Sequence, residues 1–143
     1  MADQQARLAV AERAAAAGGA VAEDAFRTDI AVETKRHRAD SVTQADRDAQ
    51  ERVIEVIRET YPDDAVVGEE EGAEKVVPQE GAAWVVDPID GTNNYVRGNP
   101  LWATAVAAVV DGETVAAATV LPALDDAYLS AGDGTRLNGT AAS

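Results

Sequence analysis

Trp84-Val85-Val86-Asp87-Pro88-Ile89-Asp90-Gly91-Thr92-Asn93-Asn94-Tyr95 is the stretch of this 143-residue chain on which its fold and its chemistry turn. Val85-Val86 behind a tryptophan reads as a short buried strand that delivers Asp87 at its C-terminal end. Asp87 and Asp90 flank Pro88-Ile89, so a tight turn can aim both carboxylates at one point, and a hard dication takes several such oxygens. Pro88 fixes its own φ, Gly91 permits a backbone conformation denied to other residues, and the Ile89 carbonyl is a further candidate oxygen. Gly91-Thr92-Asn93 then offers backbone N–H groups and a hydroxyl beside the carboxylates, where a phosphate could bridge metal and amides. By itself the turn is weak evidence. Asp-Pro-x-Asp-Gly is ordinary turn chemistry, and a chain with 26 acidic residues holds such pairs by accident.

Working outward, Ala65-Val66-Val67 is a second β-branched run that ends on acid, Glu69-Glu70-Glu71, and Glu69 could supply a third carboxylate. Gly72 to Ala83 is a polar surface connection with Pro78 and Gly81. Downstream, Leu101 to Val110 and Thr114 to Val120 flank Asp111-Gly112, a strong hairpin signal, and a further strand covers Ala127 to Ser130. After Gly132-Asp133-Gly134 the chain returns through Arg136-Leu137-Asn138 with no closing element. Upstream, Ala2 to about Arg27 is a strong helix former with Leu8, Ala11, Ala15, Ala22 and Phe26 near one face. Gly18-Gly19 interrupts it and marks a break or a close approach by a neighbour, of which the break is the expectation. Thr28 to Asp40, with the basic run Lys35-Arg36-His37-Arg38, reads as a loop or edge hairpin, either solvated or facing an anion. Thr43-Gln44-Ala45-Asp46 has the form of a capping box opening a second helix. That helix carries Val53, Ile54 and Ile57 on its apolar stripe and stops near Thr60, before Tyr61-Pro62. The expected fold class is α+β: two N-terminal helices packed on a largely antiparallel sheet, in one domain spanning residues 1–143.

The balance of 26 acidic and 12 basic residues gives a formal charge of −14, which repels nucleic acid and anionic membrane surfaces. Ala and Val dominate the apolar residues and aromatics are 4%, so the core is expected to be built from small side chains. Lys35 and Lys75 are the only lysines, and this Ala-rich, Lys-poor, acidic balance suggests adaptation to high salt, which screens carboxylate repulsion. There is no cysteine, hence no disulfide framework, in keeping with a cytoplasmic protein. The N-terminus lacks a basic leader, and Ala103 to Val110 is too short to span a membrane.

Three blocks together resemble the inositol monophosphatase family, including the related archaeal fructose-1,6-bisphosphatases and the phosphoadenosine phosphate phosphatases. They are Asp40-Ser41-Val42-Thr43-Gln44-Ala45-Asp46, Gly68-Glu69-Glu70, and Trp84 through Tyr95, in family order and at family spacing. The resemblance extends through Asn99-Pro100 to Asn138-Gly139. It implies that the chain is the first half of a layered αβαβα sugar-phosphatase fold. It further implies that Glu69, Asp87, the Ile89 carbonyl and Asp90 bind Mg²⁺, and that Asp90 with the Gly91 and Thr92 amides holds the substrate phosphate. Thr92 and Asp46 would orient a water that Glu69 and Mg²⁺ make nucleophilic for in-line attack on a phosphomonoester. Asp46 also suits a first helical turn on dipole grounds alone. Lys35, eleven residues before Asp46, matches an active-site lysine of the family pattern, with Arg36 and Arg38 as competing neighbours. Glu70 and Glu71 are expected to orient the site or face solvent, and Trp84 and Tyr95 to pack.

Asn93-Asn94-Tyr95 resembles the inositol and fructose phosphatase form, where the nucleotide phosphatases carry Lys-Glu, and this favours a sugar or polyol phosphate. Family members run well beyond this length and carry another metal-binding aspartate in a Trp-Asp context. Trp84 and Trp102 are the only tryptophans, and Asp follows neither. Two expectations follow: a piece of an Mg²⁺-dependent inositol or sugar phosphate phosphatase, or a non-catalytic domain that binds metal or phosphate or serves in assembly. Sheet edges left exposed would favour a homodimer or pairing with a missing C-terminal half.

Overall fold

Ala, Glu and Arg, all strong helix formers, dominate the start of the chain and build helix α1 (Ala2–Ala25). The computed structural model describes residues 2–26, 35–69, 73–132 and 134–141, with the side chains of 2 and 35–43 excepted. Leu8, Ala11, Ala15 and Ala22 form the buried stripe of α1. Gly18 continues that stripe, and the helix runs through Gly18-Gly19 unbroken. The expected break is therefore corrected to a close approach. A methyl on Gly18 would stand 2.4 Å from Val53 Cγ2 and 3.2 Å from the Ala49 carbonyl oxygen, both on the second helix. Gly18→Ala is expected to lower stability by about 1–2 kcal/mol, since overpacking outweighs the gain in helix propensity. Urea denaturation measures it, and a stability gain would show that the two helices can move apart at no cost.

Helix α2 (Lys35–Thr60) starts earlier than its sequence suggests. Of the stretch read as loop or hairpin, residues 28–34 lie outside the described residues, and Lys35 onward is helix. Charge gave the loop reading, but Lys and Arg are also good helix formers, and their long side chains lose little freedom on a helix. Thr43 is thus an interior residue and not an N-cap. The Gln44 amide instead bonds Asp48 one turn on, at 2.8 Å. Ala45, Ala49, Val53, Val56 and Ile57 form the buried face of α2, and the stop before Pro62 falls where proline requires it.

Among the described residues seven strands follow in sheet order β1 (Ala65–Val67), β2 (Ala82–Asp90), β3 (Ala103–Val110), β4 (Glu113–Leu121), β5 (Asp126–Ala131), β6 (Gly134–Leu137) and β7 (Thr140–Ala141). β1 and β2 are parallel, and every later pair is antiparallel. A short helix α3 (Thr92–Val96) lies between β2 and β3. Asp111 and Gly112 have φ of 51° and 82°, the pair of left-handed residues that suits the right-handed twist of a two-residue hairpin. Asn138 and Gly139, at 52° and 85°, repeat that turn between β6 and β7, so the chain closes on two strands that the sequence reading left out. Both helices pack on one face of the sheet. The main core lies between them, with Trp84, Val106, Ala108 and Ala116 from the strands meeting Ala11, Ala15, Val53 and Ile57 from the helices. Small side chains do fill most of this core, as composition implied.

Candidate metal and phosphate site

Parallel pairing of β1 with β2 places the acidic residues. The register ends at Val67 opposite Val85; Glu69 follows two residues after β1, and Asp87 lies two residues further along β2. A cavity of about 300 Å³ opens there. Asp46 of α2, Gly68 and Glu69 after β1, Lys75 of the following connection, Asp87 to Ile89 of β2 and Thr92 of α3 line it. Glu69, Asp87 and Thr92 are exposed to solvent, and Asp46 is half-buried.

The expected tight turn is a bulged strand. β2 runs through Pro88, and between Asp87 and Asp90 its register against β3 shifts from Ala105 to Ala103. One extra residue is thereby accommodated in β2, a position that tolerates a proline without an N–H. The bulge's carbonyls are separately held: Thr104 Oγ1, fully buried, donates to the Pro88 carbonyl at 2.8 Å, and Thr92 Oγ1 donates to the Ile89 carbonyl at 3.2 Å. Gly91 follows at φ 91°, with its Cα so close to the segment leading into β3 that a methyl would meet the Leu101 carbonyl oxygen at 3.1 Å. Only glycine meets both conditions.

The structure therefore gathers Asp46, Glu69, Asp87, Ile89 and Thr92 around one cavity. Asp90 and Gly91 instead line a neighbouring shallow opening with Leu101, Trp102 and Ala103. Asp87 and Asp90 thus line different openings on the two sides of the bulge. The side chain of Lys35 lies outside the described residues. Glu70 and Glu71 do as well. Carboxylates and a carbonyl are the hard oxygen donors that Mg²⁺ selects, so the set around the cavity fits that ion in kind. Among the described residues, however, no three acidic or histidine side chains stand close enough to hold one ion as placed.

Behind the cavity sits a second small core of Ala22, Ala45, Ala49, Ile89, Tyr95 and Trp102, with Phe26 packed on it. Trp84 and Tyr95 both pack, as expected. The Tyr95 hydroxyl donates to the Ala22 carbonyl at 2.7 Å, satisfying one of the α1 carbonyls that the helix end leaves without a partner. Burial, then the negative charge of Asp46, pushes the Tyr95 hydroxyl up to about 12. The folded value lies above the unfolded value of about 10, so this contribution is fully present below about pH 10 and is lost as pH rises toward 12. Urea denaturation from pH 8 to 12 is expected to show that decline in the wild type and a smaller one in Tyr95→Phe. Equal slopes would contradict the assignment.

Two site residues escaped the sequence reading. In the sequence Lys75 stands out only as one of two lysines, and Thr104 only as part of an apolar run. No local spacing marks either, because each depends on a partner brought by the fold.

Residues 3–143 match the model of the inositol monophosphatase family. The chain belongs to that family. It is 40% identical over 135 residues to the fructose-1,6-bisphosphatase/inositol-1-monophosphatase of Aquifex aeolicus, covering 92% of this chain and 50% of that protein. It is 35% identical over 133 residues to the Nus factor SuhB of Pasteurella multocida, covering 92% of this chain and 49% of the relative. Among solved structures, the inositol monophosphatase from Anabaena superposes with a TM-score of 0.80 at 26% identity, covering 97% of this chain and 49% of that one. This inositol monophosphatase family chain thus spans about half the length of these relatives. Its α+β architecture of two helices on a mostly antiparallel sheet is the family's. None of these descriptions bears on the expectation of adaptation to high salt. No helix among the described residues is long and apolar enough to cross a membrane.

Proposed function

We propose that this chain supplies the metal- and phosphate-binding part of an Mg²⁺-dependent phosphatase acting on inositol monophosphate or a related sugar phosphate, fructose 1,6-bisphosphate included. The observation that carries this reading is that Asp46, Glu69, Asp87, Ile89 and Thr92 line one solvent-open cavity. Glu69, Asp87 and the Ile89 carbonyl are the groups that would hold the ion, with Asp90 beyond the bulge as a further candidate. When bound, Mg²⁺ supplies Lewis-acid polarisation of a phosphoryl oxygen. Thr92 and Asp46, both residues of the cavity lining, are suited to orient a water for in-line attack, and Glu69 to accept its proton. The amides of Gly91 and Thr92, at a helix start where N–H groups have no intrahelical partner, are suited to phosphate oxygens. A chain of formal charge −14 repels a polyphosphate backbone, so the partner we propose is a small phosphomonoester and not a nucleic acid. Homodimerisation, or pairing with a second half, and a cytoplasmic location belong to the same proposal.

A second reading is a domain that binds metal or phosphate without turnover. It is favoured by the absence, among the described residues, of three ligating side chains close enough for one ion. Phosphate release from inositol 1-phosphate and from fructose 1,6-bisphosphate, with and without Mg²⁺, separates the two. Release that requires Mg²⁺ supports the phosphatase. Uptake of Mg²⁺ without release supports the binding domain, and release indifferent to Mg²⁺ removes both.

A further inference from the structure

Glu69 enters the cavity from backbone that the sheet no longer holds, because β1 ends at Val67 and its ladder with β2 ends there too. The segment is tied down in another way. Gly68 N–H donates to the Glu74 carbonyl at 2.9 Å, and Glu74 N–H donates to the Val66 carbonyl at 2.8 Å, so the backbone just after β1 is tied to Glu74. Lys75, next in the chain, reaches back to the same backbone. Its ammonium donates to the Gly68 carbonyl at 3.1 Å and to the Glu69 carbonyl at 2.6 Å. Among the described residues that line this cavity it is the one cationic side chain.

We propose that Lys75 is the positioning residue for Glu69: its ammonium clips two successive carbonyls and so fixes the backbone from which the Glu69 carboxylate reaches the cavity. The proposal rests on the reading of Glu69 as a metal-site residue. Hydrogen bonds from a charged donor are the stronger kind, and two of them on adjacent peptides remove the rotational freedom of the peptide that carries Glu69. Fixing that backbone before an ion arrives lowers the ordering cost of binding. The positive charge also offsets part of the repulsion among Asp46, Glu69 and Asp87, which would otherwise push the lining apart.

Lys75→Met removes the donor and keeps the apolar stem, while Lys75→Arg keeps both charge and donors. In Lys75→Met, amide hydrogen exchange at Gly68 and Glu74 is expected to quicken about tenfold, with Val106 and Ala118 in the central strands unchanged as internal controls of folding. The Mg²⁺ dissociation constant, read by calorimetry on the same chain, is expected to rise about tenfold, and Lys75→Arg to restore most of both effects. Equal exchange in wild type and Lys75→Met overturns the clip. Faster exchange with an unchanged Mg²⁺ constant makes Lys75 a loop staple and overturns its positioning role. A wild-type chain that takes up no Mg²⁺ overturns the metal-site reading instead, an outcome visible before any variant is made.

Discussion

Trp84→Ala is expected to destabilise the fold by about 3–5 kcal/mol, a large share of the roughly 5–15 kcal/mol that holds a domain together. Trp84 is fully buried at the centre of the main core, in contact with the Tyr61 ring at 5.5 Å between centroids. Its indole N–H donates to Asp64 Oδ2 at 3.0 Å, and the same oxygen accepts from Arg7 NH1 at 3.0 Å. Arg7 in turn lies over the Tyr61 ring at 4.4 Å from its centroid. One side chain therefore joins α1, the turn after α2, and β2. Its neighbours are mostly Ala and Val, which are too short to refill the space it leaves, so the cavity term is expected to be near the top of its range. Urea denaturation of Trp84→Ala and Trp84→Phe measures the effect. A loss below about 1 kcal/mol in the alanine variant would show that the core collapses around the gap.

Asp87→Asn is expected to cost at least a hundredfold in Mg²⁺ affinity, and correspondingly in any Mg²⁺-dependent phosphate release, since even partners outside the metal's own ligands cost ten- to a hundredfold. The change keeps size but removes a formal charge beside the bulge of β2 and turns one acceptor oxygen into an NH2 donor. Asp87 is exposed, so stability is expected to change by no more than about 0.5 kcal/mol. The separation of the two readouts is the content of the prediction. A variant that loses stability and affinity together would mark Asp87 as a structural residue of the bulge.

The parts of this molecule that could be read from sequence are those whose physics is local. The β-branched runs before Glu69 and Asp87 became strands, Asp111-Gly112 became the hairpin, and Pro62 marks the helix stop. Asn138-Gly139 carried the same hairpin signal, but strands of four and two residues are too short to show a period, so β6 and β7 went unread. Gly18 could not be resolved because its reason is Val53, on another helix. The start of α2 was misplaced because a basic run and a Thr-x-x-Asp pattern both have non-helical readings that only tertiary packing decides against.

The site divides along the same line. Residue types and spacing pointed to Glu69, Asp87, Ile89 and Thr92, and the cavity does unite them with Asp46. What spacing could not supply is the bulge at Pro88, after which Asp90 and Gly91 line an opening with Leu101 and Trp102. The roles of Thr104 and Lys75 come from contacts across strands and around a loop.

The central claim is that Glu69, Asp87 and the Ile89 carbonyl form one specific ion site, and not merely an acidic surface that attracts cations. Mg²⁺ titration followed residue by residue through backbone amide shifts tests it most directly. The account predicts saturable shifts confined to Gly68, Glu69, Asp87 and Ile89 through Thr92, abolished in Asp87→Asn. Shifts spread over the acidic surfaces of α1 and α2, or unchanged by Asp87→Asn, would contradict it.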